Sequence, residues 1–230
     1  MKHLLNLTLL MLAMLLPTIA AAHDFEVDCI YYNITGNNEV TVTYKGTSYS
    51  SKAYSGDVVI PETVIYNGAS YLVTAIDKNA FRSCSDLTSI DIPNTVTAIG
   101  NYAFIDCPGL TSIAVASDNP IFDSRGNCNA IIETASNTLI SGCQNTIIPN
   151  SVTAIGVGAF YKCTGLTSVT IPNSVASIGN YAFYRCTGLT SVSIPSSVTT
   201  IGNYTFYILH WANQRDHPQF CHFHRQLCFL

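Results

Sequence analysis

Large apolar residues recur along the chain with a period of 23 residues. A shift of this length places Leu166 on Leu189 and Phe183 on Phe206, and the polar residues between them repeat as well. The same shift relates four earlier pairs, which are Ile76 and Ile99, Phe81 and Phe104, Cys84 and Cys107, and Leu87 and Leu110. A fixed period in this range predicts a solenoid, in which every coil presents the same side chain at the same place.

Each repeat begins with a short strand pattern. Leu87, Ile90 and Ile92 form an L-x-x-I-x-I motif, and the alternation at its end is typical of a strand with one buried face. Pro93 follows directly and cannot donate a hydrogen bond to a ladder, so we expect the strand to end there.

The second half of each repeat returns the chain to the core. We expect Gly100, which recurs as Gly156, Gly179 and Gly202, to occupy a position that needs a positive φ. Phe104 fills the core of its coil, and the rings of Phe104, Phe160 and Phe183 should line up in one internal column. Stacking buries about six large apolar side chains per repeat, each contributing about 1.5–3 kcal/mol, so neighbouring coils stabilise each other.

The combined pattern L-x-x-I-x-I-P…V-x-x-I-G-x-x-A-F-x-x-C resembles the BspA-like class of bacterial leucine-rich repeats over residues 57–206. The resemblance implies a β-rich leucine-rich-repeat solenoid, right-handed, with a parallel sheet on one face and a β-rich N-terminal cap. It also implies an exported or cell-surface protein that acts in adhesion or recognition.

The N-terminus has the layout of a secretory signal peptide. Residues 1–22 combine Lys2, an apolar run and the small residues Ala20–Ala22. A membrane anchor is the alternative, but the apolar run is shorter than the ~20 residues that a span needs. We therefore expect an exported chain that starts at His23, without a membrane span after cleavage.

Residues 23–71 alternate apolar with polar positions and contain Asn67-Gly68, a strong hairpin signal, so they predict a β-rich cap that leads into the first repeat.

The predicted solenoid, residues 72–206, contains one repeat that is too long. Its surplus lies near residues 117–148, where two strand patterns around 134–137 predict a hairpin. With Glu133 opposite Thr138, Cys128 falls opposite Cys143, which is compatible with a disulfide or with two small residues that face each other. The insertion is either architectural or a site, and the pattern alone favours an architectural role.

Four cysteines occupy one slot of successive repeats: Cys84, Cys107, Cys163 and Cys186. Stacked coils would hold them about 4.8 Å apart with parallel Cα–Cβ bonds. Disulfides need Cβ atoms about 3.8 Å apart on converging bonds, so a column of buried free thiols is favoured over bridges within it.

The repeat pattern stops after Phe206. The position where it places a cysteine is Leu209, and residues 207–230 contain the only Trp and four of the six His. Three interpretations remain open: an aberrant, unstructured tail from a frameshift or truncated reading frame, a divergent cap, or a metal site. The spacing of the tail cysteines does not match the usual short zinc pairs, so we predict neither a metal nor a cofactor.

No catalytic motif emerges from the sequence. The chain lacks G-x-S-x-G, H-E-x-x-H and a P-loop, and between the predicted signal peptide and tail the only histidine is His23. The formal net charge of −4 and the lack of a basic patch disfavour nucleic-acid binding. We therefore predict that the protein is not an enzyme.

The outward positions of the predicted strands are the remaining candidate site. They are small and polar, and we predict that they bind a ligand: Ser89, Asp91, Ser112, Ser168, Thr170, Ser191 and Ser193. Small hydroxylated residues that merely solvate a flat sheet are the alternative. These strands carry no aromatic stripe or Tyr/Trp/Arg hot spot, which disfavours a glycan and leaves a protein on a host or neighbouring cell as the favoured ligand. A structural spacer or truncated repeat fragment without a ligand is the second functional hypothesis.

Overall fold

The computed structural model describes residues 23–46 and 53–209, and the predicted signal peptide and residues 210–230 lie outside these ranges. The described chain forms seventeen short strands in four sheets, with a single 3-10 turn at Arg125–Asn127. Among these residues, no helix is long and apolar enough to cross a membrane.

The N-terminal segment is β-rich, as the alternation predicts. Its strands are β1 (Phe25–Val27), β2 (Ile30–Gly36), β3 (Glu39–Thr43), β4 (Ser55–Val59), β5 (Thr63–Tyr66) and β6 (Ala69–Ile76). Asn67 and Gly68 both have positive φ and join β5 to β6, so the predicted tight hairpin is present. β1, β2 and β3 pair in antiparallel fashion, and β3 then joins β6 in parallel.

The first regular repeats follow as β7 (Asp86–Ile92), β8 (Ala98–Ile99) and β9 (Ser112–Val115). β4 pairs in parallel with β7, and β7 pairs with β9 at a shift of 23 residues, with Ile90 opposite Ile113. The repeat ladder therefore starts at β4, inside the segment predicted as a cap. The hydrophobic period sets this register because only an in-register stack buries Leu87, Ile90 and Ile92 against their equivalents.

The long repeat holds β10 (Phe122–Asp123), β11 (Ala130–Glu133) and β12 (Thr138–Gly142), and regular repeats resume with β13 (Ala154–Ile155), β14 (Val169–Thr170), β15 (Ser177–Ile178), β16 (Val192–Ser193) and β17 (Thr200–Ile201). The prediction of one parallel sheet needs correction. β10, β11 and β12 are antiparallel, while β12, β13, β15 and β17 continue in parallel within the same sheet. Because the inserted hairpin lies between β9 and β14, the ladder of L-x-x-I-x-I strands divides into β4-β7-β9 and β14-β16.

The hydrophobic core divides at the same place. Phe81 stacks on Phe104 at 5.1 Å, and Phe183 lies 5.0 Å from Phe160 and 5.5 Å from Phe206. Phe104 and Phe160 belong to separate core clusters, so the predicted single column is interrupted. Gly142 explains the gap. The N–H of Gly142 donates to the Ala159 carbonyl, and the N–H of Phe160 donates in the same way to the Ala182 carbonyl of the next repeat. Gly142 therefore stands at the position that phenylalanine occupies in the other repeats.

The two halves meet directly at a surface turn. The Asp106 N–H donates to the Tyr161 carbonyl over 3.1 Å, although the two residues lie on either side of the inserted hairpin. Lys162 Nζ lies 2.7 Å from Asp106 Oδ2, and Ser83 Oγ donates to the same carboxylate oxygen at 3.0 Å. This turn of the Phe104 repeat therefore stacks on the same turn of the Phe160 repeat.

The explanation expected for the recurring glycines is wrong. Gly100 and Gly202 are not among the residues with positive φ. A Cβ at Gly100 would lie 2.3 Å from the backbone N of Lys78, and one at Gly202 would lie 2.3 Å from the backbone N of Asn180. Glycine is needed there because the backbone of the preceding coil comes too close for a side chain.

The hairpin of the long repeat has the expected first pairs, Glu133 with Thr138 and Ile132 with Leu139. A β-bulge then shifts the register by one residue, which places Ile131 opposite Ser141 and moves Cys128 and Cys143 out of alignment. Both are buried free thiols, so the bridge that the unbroken register suggested is not formed in the structure. The column of Cys84, Cys107, Cys163 and Cys186 consists of buried free thiols, as predicted.

The regular packing continues past Phe206. The N–H of Arg185 donates to the Tyr207 carbonyl at 2.9 Å, and Leu209 is completely buried in the slot that cysteine occupies in other repeats. Residues 207–209 thus complete the turn of the last repeat, which corrects the expectation that the unstructured tail begins at 207. The rest of the predicted tail, 210–230, lies outside the described residues.

Candidate functional site

The predicted ligand-binding residues lie on the outer faces of two separate sheets. Ser89 is opposite Ser112 in the first sheet, and Asp91 is exposed beside them. Thr170 is opposite Ser193 in the second sheet, with Ser168 and Ser191 exposed in the residues just before these strands. The structure therefore brings the seven residues together as two groups and not as one continuous column.

An exposed apolar residue of the long repeat stands at the position that separates the two groups. Ile147 precedes Pro149 by two residues, as Thr170 precedes Pro172, and its side chain is 73% exposed. The polar surface expected from the short repeats is thus interrupted by an apolar side chain.

Asp57 is an additional member of the first group that sequence reasoning missed. Thr88 Oγ1 and Ser89 Oγ each donate a hydrogen bond of 2.7 Å to Asp57 Oδ1. These two bonds lower the pKa of the Asp57 carboxyl, because they stabilise its charged form. The signal was present in the sequence, since Asp57 precedes Ile60-Pro61 at the position that Ser89 holds near Ile92-Pro93.

A groove of about 590 Å³ opens beside β4. The residues that line it include Tyr31, Tyr54, Asp57, Val59 and Ile65. The Tyr54 hydroxyl anchors the inner wall by donating to the Thr43 carbonyl, and burial raises the pKa of this phenol. Asp57 therefore belongs both to the groove and to the first sheet face.

Five tyrosines form a second surface, on the turns that follow the recurring glycines; we refer to it as the tyrosine face. Its members are Tyr161, Tyr181, Tyr184, Tyr204 and Tyr207. One column stacks Tyr161, Tyr184 and Tyr207 at 4.8 and 5.6 Å, and the other stacks Tyr181 on Tyr204 at 5.2 Å. The columns touch edge to face, with Tyr181 5.7 Å from Tyr184 and Tyr204 5.6 Å from Tyr207.

The tyrosine face is an aromatic surface that the sequence analysis, which considered only the outward positions of the strands, did not predict. Sequence reasoning inspected the strands, whereas these rings lie two residues before and one residue after the core phenylalanines, as in Tyr181-Ala182-Phe183-Tyr184. Their period of 23 was visible, but which surface they share was not.

Two cations border the tyrosine face. The Arg185 guanidinium lies 5.5 Å from the centre of the Tyr184 ring, and Lys162 Nζ lies 5.9 Å from that of Tyr161. Lys162 also pairs with Asp106, so its charge is partly neutralised.

Acidic residues are distributed very unevenly along the chain. Residues 23–133 contain thirteen of the fourteen Asp and Glu residues, whereas residues 134–209 contain Lys162, Arg185 and no acid. The tyrosine face thus belongs to the positively charged end of the described chain.

The buried thiols are poor candidates for chemistry. Burial, with the nearby Cys143 as a smaller contribution, raises the pKa of the Cys163 thiol to about 12, and burial also raises the pKa of Cys107 and Cys186. A thiol acts as a nucleophile only as a thiolate, so these groups are unreactive at neutral pH. Among the described residues, no cluster of His, Cys, Asp or Glu is arranged to hold a metal ion.

Comparison with solved structures finds leucine-rich repeat proteins. A leucine rich cell surface protein from Faecalibacterium prausnitzii is 26% identical, with a TM-score of 0.46, over 80% of this chain and 45% of that one. A leucine-rich repeat protein from Bacteroides ovatus is 23% identical, with a TM-score of 0.44, over 80% of this chain and 56% of that one. The chain thus spans about half the length of these two proteins. No curated protein matches it.

The repeats themselves match a family model. The model describes a BspA type leucine rich repeat region, and six copies of it match residues 28–131 and 135–221. These ranges cover well over half of the chain and extend past Phe206. The β-rich fold, with almost no helix and strands in a 23-residue register, agrees with this match. The protein belongs to the family of BspA-type leucine-rich repeat proteins.

Proposed function

We propose that this protein is a non-enzymatic recognition module, exported or displayed on the cell surface, which binds a protein ligand through the outer face of its solenoid. The observation that carries this proposal is the fixed register of outward polar side chains, such as Ser89 opposite Ser112 and Thr170 opposite Ser193. Stacked coils hold these groups rigidly, so a ligand finds them already ordered and little side-chain entropy is lost on binding.

Asp57 strengthens the first group. Its carboxylate accepts hydrogen bonds from Thr88 and Ser89, which orders all three side chains on the exposed sheet. The small residues of both groups present hydroxyls without bulky anchors, so a single copy should bind with modest affinity.

The test is binding of the full chain to immobilised host matrix proteins, measured by surface plasmon resonance. Arg substitutions at Ser168, Thr170, Ser191 and Ser193 should abolish binding, because the new side chains would cover the second group. A control variant with Arg at Ser196 and Thr199, exposed but outside both groups, should bind normally, as should wild type. If the wild type binds none of the proteins, the spacer hypothesis is favoured, and if both variants bind equally well, the sheet face is not the site.

A further inference from the structure

The backbone conformation of the tyrosine face is the first observation that favours a binding role for its rings. Tyr181 and Tyr204 have positive φ values of 59° and 57°, in the left-handed region that tyrosine rarely adopts. Asn79 and Gly158, whose residue types suit this conformation, stand at the same position of other repeats, two residues before the core phenylalanine. Tyr102, outside the tyrosine face, holds this position in a third repeat with a φ of 64°. The turn therefore does not need tyrosine, yet Tyr181 and Tyr204 carry it in two successive repeats against the backbone preference.

The exposure of the rings supports the same reading. Tyr204 is 42% exposed and Tyr207 is 38% exposed, while Tyr161, Tyr181 and Tyr184 are half-buried behind and beside them. Each ring is fixed by a stacked or edge-to-face neighbour, so little conformational freedom remains to be lost on binding. Ordered tyrosines beside an arginine have the composition of binding hot spots between proteins.

Charge indicates the kind of partner. Arg185 lies over Tyr184 at the border of the face, and residues 134–209 contain no acid that would repel an anionic partner. The one acid placed against this surface in the described residues, Asp106, is paired with Lys162. A carboxylate brought to this surface would meet the exposed guanidinium of Arg185, to which it can accept charge-assisted hydrogen bonds.

From these observations we propose that the tyrosine face binds an acidic polypeptide segment of a partner protein. The inference rests on the proposed role as a recognition module, but it names a different surface from the sheet face and a definite ligand chemistry. Tyrosine rings would pack against the side chains of the segment, and Arg185 would select its carboxylates.

The experiment pans a library of random peptides against the immobilised full-length protein and measures selected peptides by fluorescence anisotropy. Peptides enriched in Asp and Glu should be recovered. Tyr181→Asn/Tyr204→Asn and Arg185→Glu should each weaken their binding by roughly tenfold or more, while Arg185→Lys should retain part of it. Asn already occupies this turn position in the first repeat, so the double variant should keep the wild-type circular dichroism spectrum and thermal midpoint.

The controls separate this proposal from the sheet-face proposal. Ser168→Gln/Ser191→Gln, which covers part of the sheet face without adding charge, should leave acidic-peptide binding unchanged, and the tyrosine variants should leave sheet-face binding unchanged. Recovery of peptides without acidic enrichment, or equal binding by wild type and both tyrosine-face variants, would overturn the proposal. The proposal would also be overturned if the wild type bound a glycan on an array and the tyrosine-face variants did not. It would be overturned as well if the wild type sedimented as a dimer in analytical ultracentrifugation and these variants sedimented as monomers.

Discussion

A Cβ atom on Gly142 would lie 2.3 Å from Cε1 of Phe160, the ring that begins the second phenylalanine stack. Phe160 is buried and stacked on Phe183, so its ring has little room to retreat. The Phe160 ring therefore occupies the space that a side chain at position 142 would need. The long repeat fits into the array because it has glycine, and not phenylalanine, at this position.

Gly142→Ala should accordingly destabilise the protein by about 1–3 kcal/mol, because the added methyl group overpacks a closed core. Urea denaturation of the full chain measures the change. Gly36→Ala is the matched control, since its Cβ would come no closer than 4.0 Å to any neighbour and its φ is not positive. Phe160→Leu should partly rescue Gly142→Ala in a double-mutant cycle, whereas strictly additive losses would contradict the shared space.

Lys162→Met should weaken the contact between the two halves of the array. The ion pair with Asp106 is about 30% exposed, so its loss should cost only about 0.2–1 kcal/mol. The difference between wild type and variant should shrink in high salt, because salt screens partly exposed charges. A difference that is the same at low and high ionic strength would show that Lys162 contributes packing and not charge.

Stability should fall as pH rises above 9.0, the ordinary pKa of a thiol. Burial raises the pKa of Cys107, Cys163 and Cys186 in the folded chain, so the unfolded chain loses these protons first and is favoured at alkaline pH. The contribution is complete below the unfolded pKa and is lost as pH rises toward the folded values. Chemical denaturation at a series of pH values measures the slope, and Cys163→Ala should make it shallower. The measurement stops at pH 10.0, the ordinary pKa of tyrosine, because tyrosines also ionise above it. A free energy of unfolding that stays constant from neutral pH to pH 10.0 would rule out this linkage.

Removing the hydroxyls of Thr88 and Ser89 should raise the pKa of Asp57 toward its ordinary value. Both hydroxyls donate to its carboxylate and favour the charged form. An NMR titration of the Asp57 side chain in Thr88→Val/Ser89→Ala measures this, with Thr111→Val as a control in the adjacent repeat. If the pKa of Asp57 is unchanged in the double variant, the two hydrogen bonds do not order this part of the sheet face.

The periodic pattern alone determined which residues are equivalent, and hence the parallel register of 23 residues, the buried positions of each repeat and the column of free thiols. It could do so because one coil buries its apolar edge only against the next coil, so the same residue type must return to the same place.

The distances between neighbouring turns could not be predicted from the sequence pattern, because they depend on the tertiary structure. The pattern marked Gly100 as special, but only the approach of the Lys78 backbone explains why. A one-residue β-bulge in the hairpin shifts the register, so that Cys128 is no longer opposite Cys143. The sequence of the hairpin contained no local feature that predicted this bulge. The tyrosine face likewise exists only because the turns stack so that rings of successive repeats meet about 5 Å apart. Periodicity specifies identity and order along the stack, whereas the separation and tilt of adjacent turns depend on packing across the whole array.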